Sequence, residues 1–497
     1  MHGNLNAQAV EKSENKSPDV FTVICLKRFS QIRRIVLKCT TSMQIFATFA
    51  ILACAVSLAT ATFQPAGVPF KSPVTTASGF TAKVIFSNLT TPRGITFDSE
   101  QNLLVVERGF GVTAFSRANI PSAGWERTVV IKNPDFTQGI QVDGQVLYVS
   151  TATTVLVYKY DPITKSVSGA SSNPYVLIDG VPGDGELTTH TLQLETDPAS
   201  NRIIGILVAS GPLTNIDPTA RDPASGRSQI RRFVFPSVAL PVFPPPVIPW
   251  AKGQVIAYGI RNLGGFAFGT GISVTPARSK SLYVVENGAS IDEVKGLTAQ
   301  FVNDNPSDEI EFVTFSTAAD VAPKSYGFPD CTSLWNPTAD PVGVPQYVGL
   351  PRGAQFSLNL DPTRDDAWCQ NAANNHPPSL NFQAHSVPLD IKFYSPQTGA
   401  ITSFPTSFSG DAFVSFHGSF DRTPPTGYGV VHVPFPLGTA NSVAPYSFLV
   451  QATELKTCPG SCIRPVGLAF GKDGRLYVSS DSSGELFVIE RSLLTPL

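Results

Sequence analysis

Arginine and histidine recur in this chain at one kind of position, directly ahead of a short hydrophobic strand. Arg93 opens "RGITFD", His190 opens "HTLQLETD", Arg261 and Asn262 open "RNLGGFAF", and Arg464 opens "RPVGLAFGKDG". His385 leads "HSVPLDIKFY", and Gln138 holds the equivalent place in "QGIQVD". His417 and Arg422 lie just after a strand instead, in "FVSFHGSFDR". Permanent cations gathered round one cavity repel each other unless an anion sits among them. A guanidinium fork grips a carboxylate through two parallel hydrogen bonds, so the set suits a flat ligand with several carboxylates. Imidazoles add a group that can take up a proton near neutral pH. His190 stands at the repeat position that Arg93 holds, a titratable base in place of a permanent cation.

These side chains share a position only if the elements behind them repeat. Each lead-in is followed by a second, more hydrophobic strand with a polar end: "LLVVERG", "VLYVSTA", "RIIGILVASG", "SLYVVENG", "DAFVSFHGS" and "RLYVSSD". A strand–turn–strand unit cannot bury both of its faces alone. Repeated radially it makes the blades of a β-propeller, and six repeats predict an all-β, six-bladed β-propeller. A two-sheet sandwich would not require one unit written six times. The first and last units match most closely, which predicts neighbours in a closed ring. Two insertions are expected to form surface structure: the Pro-rich "FPSVALPVFPPPVIPW" from Phe235 and the stretch from Tyr326 to Leu380.

Composition agrees. The 497 residues are 42% hydrophobic and only 15% charged, with 39 Gly and 42 Pro, a balance that favours short strands and many turns. Residues 1–61 read as a leader. "MQIFATFAILACAVSLATA", Met43 to Ala61, is apolar, follows Arg33, Arg34 and Lys38, and ends in a small-x-small cleavage pattern. The propeller domain is therefore expected over residues 62–497, secreted and free of the membrane once the leader is cut. Removing the leader's 7 basic and 3 acidic residues leaves 29 basic against 35 acidic, so nucleic acid is an unfavoured partner. Cys331, Cys369, Cys458 and Cys462 remain, an even number that predicts two disulfides in an oxidising compartment. Proximity favours Cys331–Cys369 and Cys458–Cys462. Asn88-Leu89-Thr90 is a glycosylation sequon suited to a surface loop.

The motifs "YGIRNLGGFAF", "VVENGAS", "NPSDEIEFV", "YGFPDC", "AHSVPLDIKFY", "FHGSFDR" and "IRPVGLAFGKDG", in this order, resemble the soluble quinoprotein glucose/sorbosone dehydrogenases. The likeness covers nearly all of residues 63–497 and is greatest to fungal secreted pyranose dehydrogenases that use pyrroloquinoline quinone (PQQ). It implies that Arg93, Arg261, Arg422 and Arg464 anchor the three carboxylates of PQQ, with Asn262, His385 and His417 beside them. It implies His190 as the general base for oxidation of a sugar by hydride transfer. It also implies a calcium ion on the loop at Gly288 and Ala289, with Asp308 near the site. Ala289 departs from the bacterial pattern, where Pro is common, and His417 and Arg422 stand near a bacterial Lys.

Two other functions fit a six-bladed ring. A calcium-dependent lactonase needs a channel-facing cage of carboxylates and amides, whereas these lead-ins are cationic. A non-catalytic carbohydrate-binding propeller would display aromatic side chains, and the chain has only 4 Trp. "CPGSC" is not a haem-attachment motif, so electrons are expected to pass to an external acceptor.

Overall fold

The computed structural model describes residues 62–492, apart from residue 66 and segments 119–123, 168–173, 198, 236–243, 270–278, 317–321 and 436–445. The leader and much of the Pro-rich insertion lie outside the described residues. Among the described residues no helix is long and apolar enough to cross a membrane.

Six sheets of the predicted kind, antiparallel apart from one outer parallel pairing in each of blades 2 and 3, are arranged as blades of a propeller. Their innermost strands are Pro92–Phe97, Phe136–Asp143, Leu192–Asp197, Asn262–Phe268, Pro388–Phe393 and Pro465–Phe470. Each pairs with the hydrophobic second strand of its repeat: Leu103–Glu107, Val146–Thr151, Arg202–Ser210, Ser279–Asn287, Ala412–Phe416 and Leu476–Ser480. The second strands read as unbroken apolar runs because both of their faces are buried. In blade 1, Leu103 and Val105 pack towards Tyr477 and Val488 of blade 6, while Leu104 and Val106 pack towards Leu147 and Val149 of blade 2.

The ring closes across the chain ends. Phe80–Phe86, from before the first repeat, pairs antiparallel with Glu485–Arg491 and completes blade 6. Val74–Thr76 likewise pairs with Ser447–Ala452 at the rim of blade 5. Blades 1 and 6 are therefore neighbours, as the matching repeats predict. Ser479 Oγ donates to the Arg93 carbonyl at 2.5 Å across that seam.

The inner strands approach almost backbone to backbone. A Cβ on Gly94 would lie 2.0 Å from the Gln138 carbonyl oxygen, and one on Gly139 2.2 Å from that of His190. No side chain fits at either place. The pairing shifts register between Pro92 and Ile95, Phe136 and Ile140, Pro388 and Asp390, and Pro465 and Leu468. Such bulges re-aim the residues beside them, here the lead-ins at one end of the channel. Just below, Gly94, Gln138, Thr191, Gly264, Asp390 and Gly467 enclose about 30 Å³, room for roughly one water.

The insertion from Tyr326 carries the short hairpin Cys331–Ser333 with Gln355–Ser357. The Cys331–Cys369 and Cys458–Cys462 disulfides both form, in the pairing that proximity favoured. Asn88 of the sequon is exposed, with φ of 60°.

Candidate cofactor-binding site

Starts of innermost strands and ends of second strands lie at the same end of an antiparallel blade, and there the polar side chains converge. Arg93 is 9% exposed. Its Nη1 donates to Asp481 Oδ2 at 2.5 Å and its Nη2 to Gln138 Oε1 at 2.7 Å. Gln138 Nε2 reaches across the channel to the Gly264 carbonyl at 2.9 Å. Asp481 Oδ1 in turn takes the Nε2–H of His417 at 2.9 Å, and Arg464 Nη2 donates to His417 Nδ1 at 2.8 Å. The Arg464 guanidinium also lies 3.9 Å from the Phe420 ring centroid and donates to the Gly418 carbonyl at 3.0 Å. Blades 1, 5 and 6 so contribute one chain, Arg93–Asp481–His417–Arg464.

Its charges are settled by burial and neighbours. Burial lowers the His417 pKa, and although Asp481 raises it, Arg464 and Arg93 add to the lowering. The imidazole is neutral, with its proton on Nε2. Burial would raise the Asp481 pKa, but the hydrogen bond from His417 and the charge and hydrogen bond of Arg93 outweigh it. The carboxyl stays ionised well below the usual range. Arg93 Nε is buried and meets no acceptor. With two guanidinium groups against one carboxylate, this end of the cluster carries excess positive charge and an unused donor.

Asp481 follows a second strand and so lies outside the strand lead-ins that supply most of the expected site residues. Its signal was present: it ends "RLYVSSD" where His417 ends "FVSFH" in the preceding blade.

Other expected residues are placed differently. His190 is fully buried, with Nε2 2.8 Å from the Ala152 carbonyl and Nδ1 3.0 Å from that of Ala209. Burial lowers its pKa, and a neutral ring has one N–H for these two acceptors. In this arrangement it ties blade 2 to blade 3 and turns no free lone pair to the mouth, unlike the general base that the resemblance implies.

Arg261 spends its donors on protein. Nε and Nη2 bind the Asn215 carbonyl and Oδ1 at 2.8 and 2.7 Å, and Nη1 reaches the Gly288 carbonyl at 3.1 Å. The Gly288 carbonyl therefore faces a cation, and Ala289 packs in an apolar cluster with Phe301 and Phe328. Asn262 Nδ2 bonds Asn287 Oδ1 at 2.7 Å. Arg422 is held by Asp304 at 2.6 Å, and its buried Nε, like that of Arg93, meets no acceptor.

Asp308 braces this side. Its two oxygens accept from the Gly288 and Val387 backbone N–H groups, each at 2.8 Å. Burial, its largest influence, pushes the Asp308 pKa up to about 6. His385 sits beside it, Nε2 donating to the Val302 carbonyl at 2.8 Å and Nδ1 3.3 Å from Asp421. His385 and Val387 both have positive φ, 65° and 56°. For a β-branched residue that conformation is strained, a mark of functional segments.

Comparison with known proteins gives this geometry its context. A PQQ-dependent sugar dehydrogenase of Hypocrea jecorina is 31% identical over 438 residues, covering 86% of this chain and 91% of that one. A PQQ-dependent pyranose dehydrogenase of Coprinopsis cinerea is 30% identical over 442 residues, and the chain spans only 54% of its length. Among solved structures, the calcium structure of the Trichoderma reesei Carbohydrate-Active Enzymes Family AA12 protein superposes with a TM-score of 0.71 at 30% identity. That match covers 86% of this chain and 98% of the other. The holo PQQ domain of the Coprinopsis cinerea pyranose dehydrogenase gives 0.69 at 29% identity, over 84% of this chain and 97% of that one. The TrAA12-like family model matches residues 74–492, and the chain belongs to that family.

Proposed function

We propose that this chain is a secreted, PQQ-dependent sugar dehydrogenase that passes its electrons to an external acceptor. The observation that carries the reading is the buried Arg93–Asp481–His417–Arg464 chain with its unpartnered Arg93 Nε. An anionic, flat, polycarboxylate ligand fits this donor set: it would meet Arg93 Nε and the Arg464 fork, and Phe420, 71% exposed, offers a ring face beside them. PQQ, when bound, supplies a two-electron acceptor for the hydride of a sugar C–H bond.

The residues then have distinct tasks. Arg93 and Arg464 anchor carboxylates, and Gln138 holds Arg93 in place across the channel. Asp481 fixes the His417 tautomer, which leaves the lone pair on Nδ1. Arg464 caps that lone pair in the present arrangement. Once the guanidinium turns to a carboxylate, Nδ1 is free to take the proton of the sugar hydroxyl. We therefore assign proton abstraction to His417 in preference to His190. A general base of this kind contributes 10²- to 10⁴-fold in rate. Arg261, Asn262 and Asp308 hold the 287–288 loop and the strained 385–387 segment around the mouth.

Secretion accords with two disulfides and an exposed sequon. Incubating the purified chain with PQQ and calcium, then measuring dye reduction across a panel of aldoses and pyranoses, tests the proposal. Sugar-dependent reduction that needs PQQ is expected, and PQQ-independent lactone or ester hydrolysis would overturn it.

A further inference from the structure

The end of the propeller away from the mouth carries a cleft that the dehydrogenase reading does not use. Phe97 closes the inner strand of blade 1 and Phe470 that of blade 6, and the turns 98–102 and 471–475 follow them. Arg93 and Arg464 stand at the starts of the same two strands, so cleft and mouth lie at opposite ends of these blades. The Lys472 backbone N–H donates to Gln101 Oε1 at 2.9 Å and ties the two turns together. Beside this tie, with Trp125 and Thr402 as further walls, a cleft of about 650 Å³ opens. Sites for small molecules span roughly 300–1,000 Å³.

The floor of the cleft is aromatic. The rings of Phe97 and Tyr477 meet edge to face with centroids 5.0 Å apart, and Trp125 lies 5.9 Å from Tyr477. Its walls carry charges of both signs. Asp473 Oδ2 accepts from Arg475 Nη2 at 2.6 Å and from the Tyr477 hydroxyl at 2.7 Å, and Arg475 Nη1 reaches Glu490 at 3.0 Å. Arg117 lies over the Trp125 ring, 5.5 Å from its centroid, and reaches Asp473 only at 3.4 Å. Its side chain is 59% exposed. Lys472 and Glu100, both exposed, add one charge of each sign.

We propose that this cleft binds a short chain of neutral pyranose sugars, away from the chemistry. A hydroxyl both donates and accepts, so a polyol can take hydrogen bonds from Arg117, Lys472 and Gln101 Nε2 and give them to Glu100 and Asp473 at once. An anion would meet the carboxylates of Glu100 and Asp473, and a cation would meet Arg117 and Lys472, so like-charge repulsion disfavours both. The C–H face of a pyranose is apolar and suits the aromatic floor, while the polar groups fix its orientation. Sugar held here leaves the mouth free, so the enzyme would rest on a glycan while its other end takes substrate.

The inference does not depend on the cofactor, and its test uses PQQ-free protein. Cellotetraose, xylotetraose and mannotetraose are titrated calorimetrically into wild type, Arg117→Ala and Lys472→Ala. Both side chains are exposed, so the variants should fold and melt as wild type does. Wild type should bind at least one of the sugars, and each variant should bind it roughly tenfold or more weakly. Added PQQ should leave that affinity unchanged. In crystals soaked with the bound sugar, its density should lie beside Gln101 and Lys472. Wild type that binds none of the three, variants that bind as wild type does, binding that PQQ abolishes, or density at the mouth alone would overturn the assignment.

Discussion

The Nε2–H of His417 points at Asp481 Oδ1 over 2.9 Å, and this one contact decides which ring nitrogen keeps a lone pair. An ionised carboxylate accepts and cannot donate, so the proton stays on Nε2 and Nδ1 is the basic atom. His417 is the only expected site histidine whose two ring nitrogens meet one acceptor and one donor. His190 meets two carbonyls, and His385 a carbonyl and a carboxylate.

His417→Ala should lower turnover by about 10²- to 10⁴-fold if Nδ1 takes the proton. The wild-type rate should fall at acid pH as the imidazole protonates, and the variant should lose that limb. A pH–rate profile of the PQQ-loaded enzyme checks both. A variant that keeps the wild-type acid limb would move the role elsewhere.

His190→Ala should act on stability. It removes a buried ring and takes the single N–H away from the Ala152 and Ala209 carbonyls, a loss of about 2–4 kcal/mol in chemical denaturation. Because burial lowers the folded pKa of His190, its contribution is present above the unfolded value and lost as pH falls through the folded one. Turnover of the folded variant should retain its acid limb. A specific collapse of turnover at unchanged melting temperature would restore His190 as the base.

The repeat was legible because a blade has an unmistakable pattern: a lead-in, a bulged inner strand and a second strand apolar on both faces. Ring closure followed from the likeness of "TPRGITFD" and "IRPVGLAFG". What the pattern could not convey is where a polar side chain spends its hydrogen bonds. Arg93 and Arg261 hold the same repeat position, yet Arg93 keeps an unused Nε and Arg261 is consumed by Asn215 and Gly288. The burial of Glu309 and Glu311 was hidden for a different reason. The alternation in "DEIEFV" suits a strand with one face in water, and only the packing of blade 3 on blade 4 shows that face to be buried.

Asp481→Asn should destabilise the protein by about 3 kcal/mol at neutral pH, since it leaves Arg93 without its charged partner. The folded pKa of Asp481 lies below its ordinary value. The stabilisation is therefore complete above the unfolded pKa, about 4, and is lost as pH falls further through the folded one. Melting curves of wild type and variant should be parallel from pH 8 to about pH 5 and converge below about pH 4. A gap that persists unchanged at pH 2 would contradict this origin.

Gly139→Ala should disrupt the mouth without touching a charge. The added methyl meets the His190 carbonyl oxygen at 2.2 Å, so inner strands of blades 2 and 3 must part. Overpacking of this kind costs about 1–3 kcal/mol or more. A melting temperature equal to wild type would show that the inner strands are less closely fixed than they stand here.

Arg93 and Arg464 are assigned as the anchor of an anionic quinone, and calorimetric titration of the metal-loaded chain with PQQ measures that anchor. A hydrogen bond to a charged group is worth about 1.5–3 kcal/mol, so Arg93→Ala and Arg464→Ala should each weaken binding by roughly 10- to 100-fold. Wild type should bind one PQQ per chain. Equal affinity in wild type and both variants, or no binding to folded wild type, would rule out this anchor.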